Sequence, residues 1–169
     1  MFNYSVSVYG YTATCCTIIN NNNTGASSAT LINCSVIRNL AQSGTAGTVN
    51  CVLTNTVVYG NKISAGVAAN VSNTNSSAET YSAFENETRA GTGNISLSLN
   101  NTGDANSPYF TSLSADAGVV DIGYQSNPDI LQGSALINVG SDAATSSVYD
   151  LKYRTRKVGT IDIGAYEKQ

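Results

Sequence analysis

A weak internal repeat in the first half of the chain narrows the possible folds more than any other feature. Cys16-Thr17-Ile18-Ile19-Asn20-Asn21 is followed by Cys34-Ser35-Val36-Ile37-Arg38-Asn39 and then by Thr56-Val57-Val58-Tyr59-Gly60-Asn61, at steps of 18 and 22 residues. Each unit has a small residue, two β-branched or apolar residues, a variable position and an Asn. A fourth unit, Tyr81-Ser82-Ala83-Phe84-Glu85-Asn86, follows 25 residues later and is less regular. One unit of this size cannot bury its apolar side alone. Stacked at the inter-strand spacing of ~4.8 Å, successive units set like residues above like around a continuous core. The pattern predicts an all-β chain folded as a right-handed parallel β-helix. Its rival is a β-sandwich with evenly spaced strands. A sandwich has no reason to repeat a strand end in register, as Asn21, Asn39 and Asn61 do.

Two uses are expected for those asparagines. Asn tolerates left-handed backbone at a sharp corner, and its amide can bond to the Asn of the next coil. The stretches Asn20 to Ala29 and Gln42 to Val49 are expected as loops. Of the four cysteines, Cys16 and Cys34 share a repeat position. The favoured reading is a ladder of small buried residues; the other is a disulfide between coils, for which in-register Cβ vectors are poorly directed. The status of Cys15, Cys16, Cys34 and Cys51 stays open, and their spacing is not that of a zinc site.

Charge bounds the function classes. Charged residues are 11% of the chain, against roughly 25% in an average globular protein. Residues 1 to 78 hold no Asp or Glu, and their only charges are Arg38 and Lys62. The one basic cluster, Lys152, Arg154, Arg156 and Lys157, stands among acids and is expected to be a paired loop, so no nucleic-acid partner is expected. No segment has the length of a membrane span, and Met1 to Val8 lacks the basic start of a signal peptide. No charged residue occurs in residues 1 to 19, where Tyr4, Val6, Val8, Tyr9 and Tyr11 precede Cys15, Cys16, Ile18 and Ile19. That reads as the middle of a stack, so the chain is expected to be a piece of a longer solenoid or to self-associate through the first coil, with Lys at Ser5 and Ser7 opposing the latter.

From about residue 92 the pattern changes. Asn94 to Leu99 alternates as a strand should. The strings Val119-Val120-Asp121-Ile122-Gly123-Tyr124 and Thr160-Ile161-Asp162-Ile163-Gly164-Ala165-Tyr166-Glu167 are related. The division is therefore coils over residues 1–91 and a strand-and-loop region over residues 92–169 that continues and closes the same solenoid. Several pieces of the second part carry a resemblance: Gly93-Asn94-Ile95, then Ser107-Pro108-Tyr109-Phe110, then Leu131 to Gly140, then Asp150-Leu151 with Arg154 and Arg156, and finally Gly159 to Glu167. In these the chain resembles the C-terminal part of bacterial surface proteins with choice-of-anchor Q domains, related to polymorphic outer-membrane repeat proteins. The resemblance spans roughly residues 80 to 167. It departs at Ala135, which stands for a proline, and at Lys152-Tyr153, which stands for a glycine-containing turn, so the turn before Arg154 is expected to differ. The resemblance implies a pectate-lyase-like solenoid with an irregular C-terminal cap, a Gram-negative and often Bacteroidales source, and export to the periplasm or cell surface. It implies no single enzymatic activity, and fold alone does not settle function.

The chemistry of the residues points the same way. Glycoside hydrolysis usually needs two flanking carboxylates, and lyase action needs a base; residues 1 to 78 hold no acid, and the chain has no His. No catalytic, cofactor or metal residues are assigned. Asp162 and Glu167 look like a carboxylate pair, but they are expected to bond Arg154, Arg156 or backbone N–H groups and fasten a terminal strand. Asp121 is expected to act likewise, with Gly123 and Gly164 at positions needing positive φ or close approach. Asp104, Asp116, Asp142 and Asp150 are oxygen ligands suited to calcium, without a calcium-motif spacing. Among ten tyrosines, Tyr4, Tyr9, Tyr11, Tyr149 and Tyr153 could stack on sugar rings; the plainer reading is that tyrosines pad half-buried strands. The expectation is a secreted or cell-surface structural, adhesion-type module that binds a glycan or host surface protein without catalysis. The alternative is a fragment of a polysaccharide lyase or hydrolase whose candidate cations are Arg38 and Lys62.

Overall fold

The computed structural model describes residues 3–4, 8–63, 71–72, 78–98, 109–112 and 127–169. Ser5, Ser7, Asp104, Ser107, Pro108, Asp116 and the string Val119 to Tyr124 lie outside the described residues. So does the end of the Asn94 to Leu99 strand, of which Ile95–Leu97 is seen.

The chain is all-β, and its sheets are mostly parallel. A first sheet joins six short strands in the order β1 (Asn3–Tyr4), β4 (Thr17–Ile19), β7 (Ser35–Ile37), β11 (Val57–Tyr59), β15 (Ala83–Glu85) and β16 (Ile95–Leu97). A second joins β3 (Thr12–Thr14), β6 (Thr30–Ile32), β10 (Val52–Thr54) and β14 (Glu79–Thr80). A third joins β2 (Val8–Tyr9), β5 (Ala26–Ser27), β9 (Thr48–Val49) and β13 (Val71–Ser72), and β8 (Leu40–Ala41) pairs with β12 (Lys62–Ile63). The chain visits the third, second and first sheets in that order, circuit after circuit. Among the described strands, β17 (Phe110–Ser112) and β18 (Asn127–Ile130) pair antiparallel. Among the described residues no α-helix occurs, and no helix is long and apolar enough to cross a membrane.

Register confirms the repeat. Ile18 pairs with Val36, Val36 with Val58 and Val58 with Phe84. The fourth unit is corrected by one residue. Val57 pairs with Ala83, so the counterpart of Thr56 is Ser82 rather than Tyr81. The reason is local: Ser82 does the work of the small residue. On each of the four rungs the side chain donates to the carbonyl two residues before it: Cys16 Sγ to Thr14 O at 3.2 Å, Cys34 Sγ to Ile32 O at 3.3 Å, Thr56 Oγ1 to Thr54 O at 3.1 Å, and Ser82 Oγ to Thr80 O at 2.9 Å. The bond spans a corner whose tip has positive φ, at Cys15, Asn33, Asn55 and Tyr81.

The two tasks foreseen for one Asn are split between neighbours. At the far end of these strands Asn20, Arg38, Gly60 and Asn86 take the left-handed corner. The residues after the first three corners, Asn21, Asn39 and Asn61, stack. Asn21 Nδ2 donates to Asn39 Oδ1 at 2.7 Å, and Asn39 Nδ2 to Asn61 Oδ1 at 2.9 Å. The backbone N–H of Asn21 and of Asn39 donates to the same two oxygens at 3.0 and 2.9 Å. The stretches expected as loops each contain a short strand, β5 and β9, because the chain needs a third side to return to the second sheet.

Two apolar clusters result. One gathers Ile18, Val36, Val58 and Phe84 of the first sheet with Leu31 and Leu53 of the second and Val8 and Ala26 of the third. In the second-sheet column Leu31 and Leu53 are followed by Glu79. Arg89 meets that buried carboxylate with two bonds, at 2.8 and 3.0 Å, and lies 6.0 Å from the centre of the Phe84 ring. A paired charge thus closes that end of the column. The other cluster lies on the opposite face of the first sheet. There Ile19, Ile37, Tyr59 and Leu97 pack against Tyr109, Phe110, Ile130, Leu136, Ile163 and Tyr166. Strands buried at every position need cover on both faces; β4, β7, β11 and β15 are such strands. Of the region from residue 92 onward, β16 adds a rung to the ladder, and the described remainder lies along the flank of the first sheet.

The tail is irregular, not the terminal strand expected. Gly164 N–H donates to Asn55 O at 2.9 Å and Ala165 N–H to Ser35 Oγ at 3.0 Å, which ties it across two rungs. Gly164 has positive φ (116°), and a Cβ there would lie 3.0 Å from Ser35 Oγ, so both reasons for a glycine hold at this residue.

Candidate functional site

Where the tail crosses the first circuit it leaves a shallow cleft of about 230 Å³, lined by Thr14, Cys15, Cys16, Tyr149, Asp150, Leu151 and Tyr153. One wall is the left-handed corner at Cys15 (φ 52°). The other is a tight loop in which Tyr149 bridges to Thr155. Tyr153 takes φ 59°, the conformation for which a glycine was expected. The Asp150 carboxylate makes this possible: its Oδ1 accepts the N–H groups of Lys152 and Arg154, both at 2.8 Å. Its Oδ2 accepts Arg154 Nε at 2.7 Å and Glu167 N–H at 2.9 Å. Leu151 N–H donates to Ala165 O at 3.1 Å and pins the loop to the tail.

Asp150 is therefore engaged through both oxygens and its charge is met by Arg154, which also forks onto Asp129 at 2.7 and 3.1 Å. Asp129 is partly buried, but Arg154 and Lys152 hold its carboxyl below the ordinary carboxylate range. Beside this paired carboxylate the cleft presents a Thr hydroxyl, two cysteines and two tyrosines. Tyr149 is 54% exposed and Tyr153 75%. Exposed rings with hydroxyls beside small polar groups suit the alternating C–H and O–H faces of a sugar.

Of the tyrosines singled out for sugar stacking, the structure brings Tyr149 and Tyr153 together. Tyr9 and Tyr11 are exposed but do not line the cleft, and Tyr4 lies in β1. The padding role holds for Tyr59, Tyr109 and Tyr166, which are buried, with the first two rings edge-to-face at 5.5 Å.

Asp162 and Glu167 take the backbone N–H groups and the Arg156 expected of them, but not Arg154. Arg154 binds Asp129 and Asp150, not Asp162 or Glu167. Arg156, fully buried, donates to the carbonyls of Gly164 and Asp162 and stands 3.9 Å from Glu167. Asp162 fastens the tail through backbone donors, Asn138 N–H and Lys168 N–H, each at 2.7 Å. Burial raises the pKa of both acids, and the neighbouring Asp162 charge helps push Glu167 to about 7. Asp142 pairs with Lys157 at 2.7 Å and accepts Ile161 N–H at 2.9 Å. Among the described residues no three His, Cys, Asp or Glu groups converge as metal ligands. Arg38 is fully buried, so it does not offer the exposed base that a lyase reading would ask of it.

Thr14, Cys15 and Cys16 had not been linked to Tyr149 and Tyr153. More than 130 residues separate them, and no local signal in the sequence joins them. Comparison of the chain with protein-family models, curated proteins and solved structures gave no match.

Proposed function

We propose that the chain is a right-handed parallel β-helix module of a secreted or cell-surface protein, and that the Tyr149–Tyr153 cleft binds a neutral glycan without cleaving it. The observation that carries the binding role is the cleft itself: two exposed rings and a hydroxyl around a carboxylate already neutralised by Arg154. The β-helix reading is supported by parallel strands that return to the same three sheets in order, since parallel crossovers are right-handed in nearly all proteins. The resemblance of the tail to choice-of-anchor Q surface proteins supports export from a Gram-negative cell. Catalysis is disfavoured because the lining offers one carboxylate, occupied on both oxygens, where hydrolysis usually needs two. A glycan array tests the reading. Saturable binding to uncharged oligosaccharides is expected; a blank array, or binding confined to polyanions, contradicts it.

The reading includes self-pairing of the first circuit. Among the described residues β2 and β3 end their sheets, and an edge strand is a template for a second copy. Sedimentation at micromolar concentration is expected to show dimers, which Thr12→Lys on β3 reduces. A chain that stays monomeric at all concentrations contradicts this part.

A further inference from the structure

Cys16 and Cys34 are consecutive rungs of one ladder. Ser35 N–H donates to Cys16 O at 2.9 Å and Cys15 N–H to Ile32 O at 3.0 Å, so bonds on both sides hold the two residues in register. Strand spacing of ~4.8 Å lies within the Cα separation that a disulfide accepts. Both thiols are free, and their settings differ. Cys34 is fully buried, whereas Cys16 is partly exposed and lines the cleft. The neighbouring Cys34 side chain draws the Cys16 pKa down to about 7. Burial, and then the Cys16 side chain, push Cys34 well above the ordinary thiol range. An accessible thiolate on the rung next to a protected thiol is the division between attacking and resolving sulfur in thiol–disulfide exchange. Cys51 is buried at a different corner, where its Sγ donates to Val49 O at 3.4 Å.

We propose that Cys16 is a thiol–disulfide exchange site opening on the cleft, with Cys34 as its resolving partner and a small disulfide as its co-reactant. The Cys16 thiolate attacks one sulfur of that disulfide; the S–S bond breaks, and one thiolate leaves and takes a proton from water. Cys34 Sγ attacks Cys16 Sγ, and the Cys34 proton passes to the departing small sulfur. The mixed bond breaks and the second small thiol is released. Two protein thiols lose two electrons and become a Cys16–Cys34 disulfide, and one small disulfide gains them and becomes two thiols. The bond would staple the first two circuits beside the tyrosines. The proposal does not rest on glycan binding.

The test uses the reduced full chain with oxidised glutathione at pH 7, followed by alkylation and peptide mass spectrometry. The expected result is loss of two thiols, a Cys16–Cys34 cross-link and no lasting glutathione adduct. Cys34→Ser places a hydroxyl where Thr56 and Ser82 already serve on later rungs. In that variant the adduct is expected to accumulate on Cys16, and in Cys16→Ser no adduct forms on Cys34. Iodoacetamide is expected to alkylate Cys16 about tenfold faster than Cys51, with a half-point near pH 7. A stable adduct on Cys16 of the unsubstituted chain, a Cys15–Cys16 link, first reaction at Cys15, or four unreacted thiols would each overturn the proposal. The unsubstituted chain decides these outcomes even if a variant fails to fold.

Discussion

Asn39→Ala is expected to lower the stability of the chain by about 3–5 kcal/mol, while Asn21→Ala, one rung below, costs about 1 kcal/mol. The contrast follows from position in the ladder. The Asn39 amide accepts from Asn21 N–H and Asn21 Nδ2 and donates to Ile18 O and Asn61 Oδ1. Truncation removes all four bonds at a fully buried residue and strands donors and an acceptor that water cannot reach. Truncating Asn21 removes the single bond its Nδ2 makes to Asn39. The Asn39 side chain packs tightly against Gly25, where a Cβ would lie 2.7 Å from Nδ2, so truncation also leaves a gap. Urea unfolding checks the pair, and a shift in melting temperature of roughly 10 °C is expected for Asn39→Ala. Equal costs for the two substitutions would show that the ladder does not act as a connected network.

The second large effect is a dependence on pH seated in the tail. Glu167 is buried beside Asp162, and its pKa is pushed up to about 7 from an ordinary 4.5. The folded chain therefore holds this proton between about pH 4.5 and 7, where the unfolded chain has released it. The stabilisation is fully present below pH 4.5 and is lost as pH rises through 7, on the order of 3 kcal/mol in all. Asp162, whose pKa burial also raises, adds in the same sense. Asp129 opposes at the acid end. Its pKa is depressed, so its contribution is present above the ordinary carboxylate range and fades as pH falls below it. Stability is thus expected to peak in mildly acid solution. Glu167→Gln removes most of the decline between pH 5 and 8, leaving the part that Asp162 contributes, and raises stability at pH 8. A flat profile for the unsubstituted chain, or an unchanged decline in the variant, contradicts this account of the tail.

How much of this was legible in the sequence differs from residue to residue. The first three repeat units were visible because Asn21, Asn39 and Asn61 each stack on the next and so must recur in register. The fourth was misplaced because small residues and corner residues draw on the same letters. Ser82 and Tyr81 exchange roles with a shift of one, and only the bond of Ser82 Oγ to Thr80 O decides between them. The flank packing has a trace in the sequence. Val57-Val58-Tyr59 has no polar alternate, which is the mark of a strand covered on both faces. That the cover would be Ile163 and Tyr166 could not be inferred, since apolar periodicity names a buried face but not its partner. The cleft was the least legible part. Tyr149 and Tyr59 look alike in sequence, and only the crossing of tail and first circuit leaves one exposed and the other buried.

Isothermal titration of the oligosaccharides selected on the array, into the chain and into its Tyr149→Ala/Tyr153→Ala variant, tests the central claim most directly when the sugars are recovered and weighed afterwards. The account predicts saturable binding to the unsubstituted chain, at least about tenfold weaker binding to the variant from the loss of two stacking rings, and oligosaccharides returned intact. Equal binding by both chains, or recovery of shortened or unsaturated products, would contradict it.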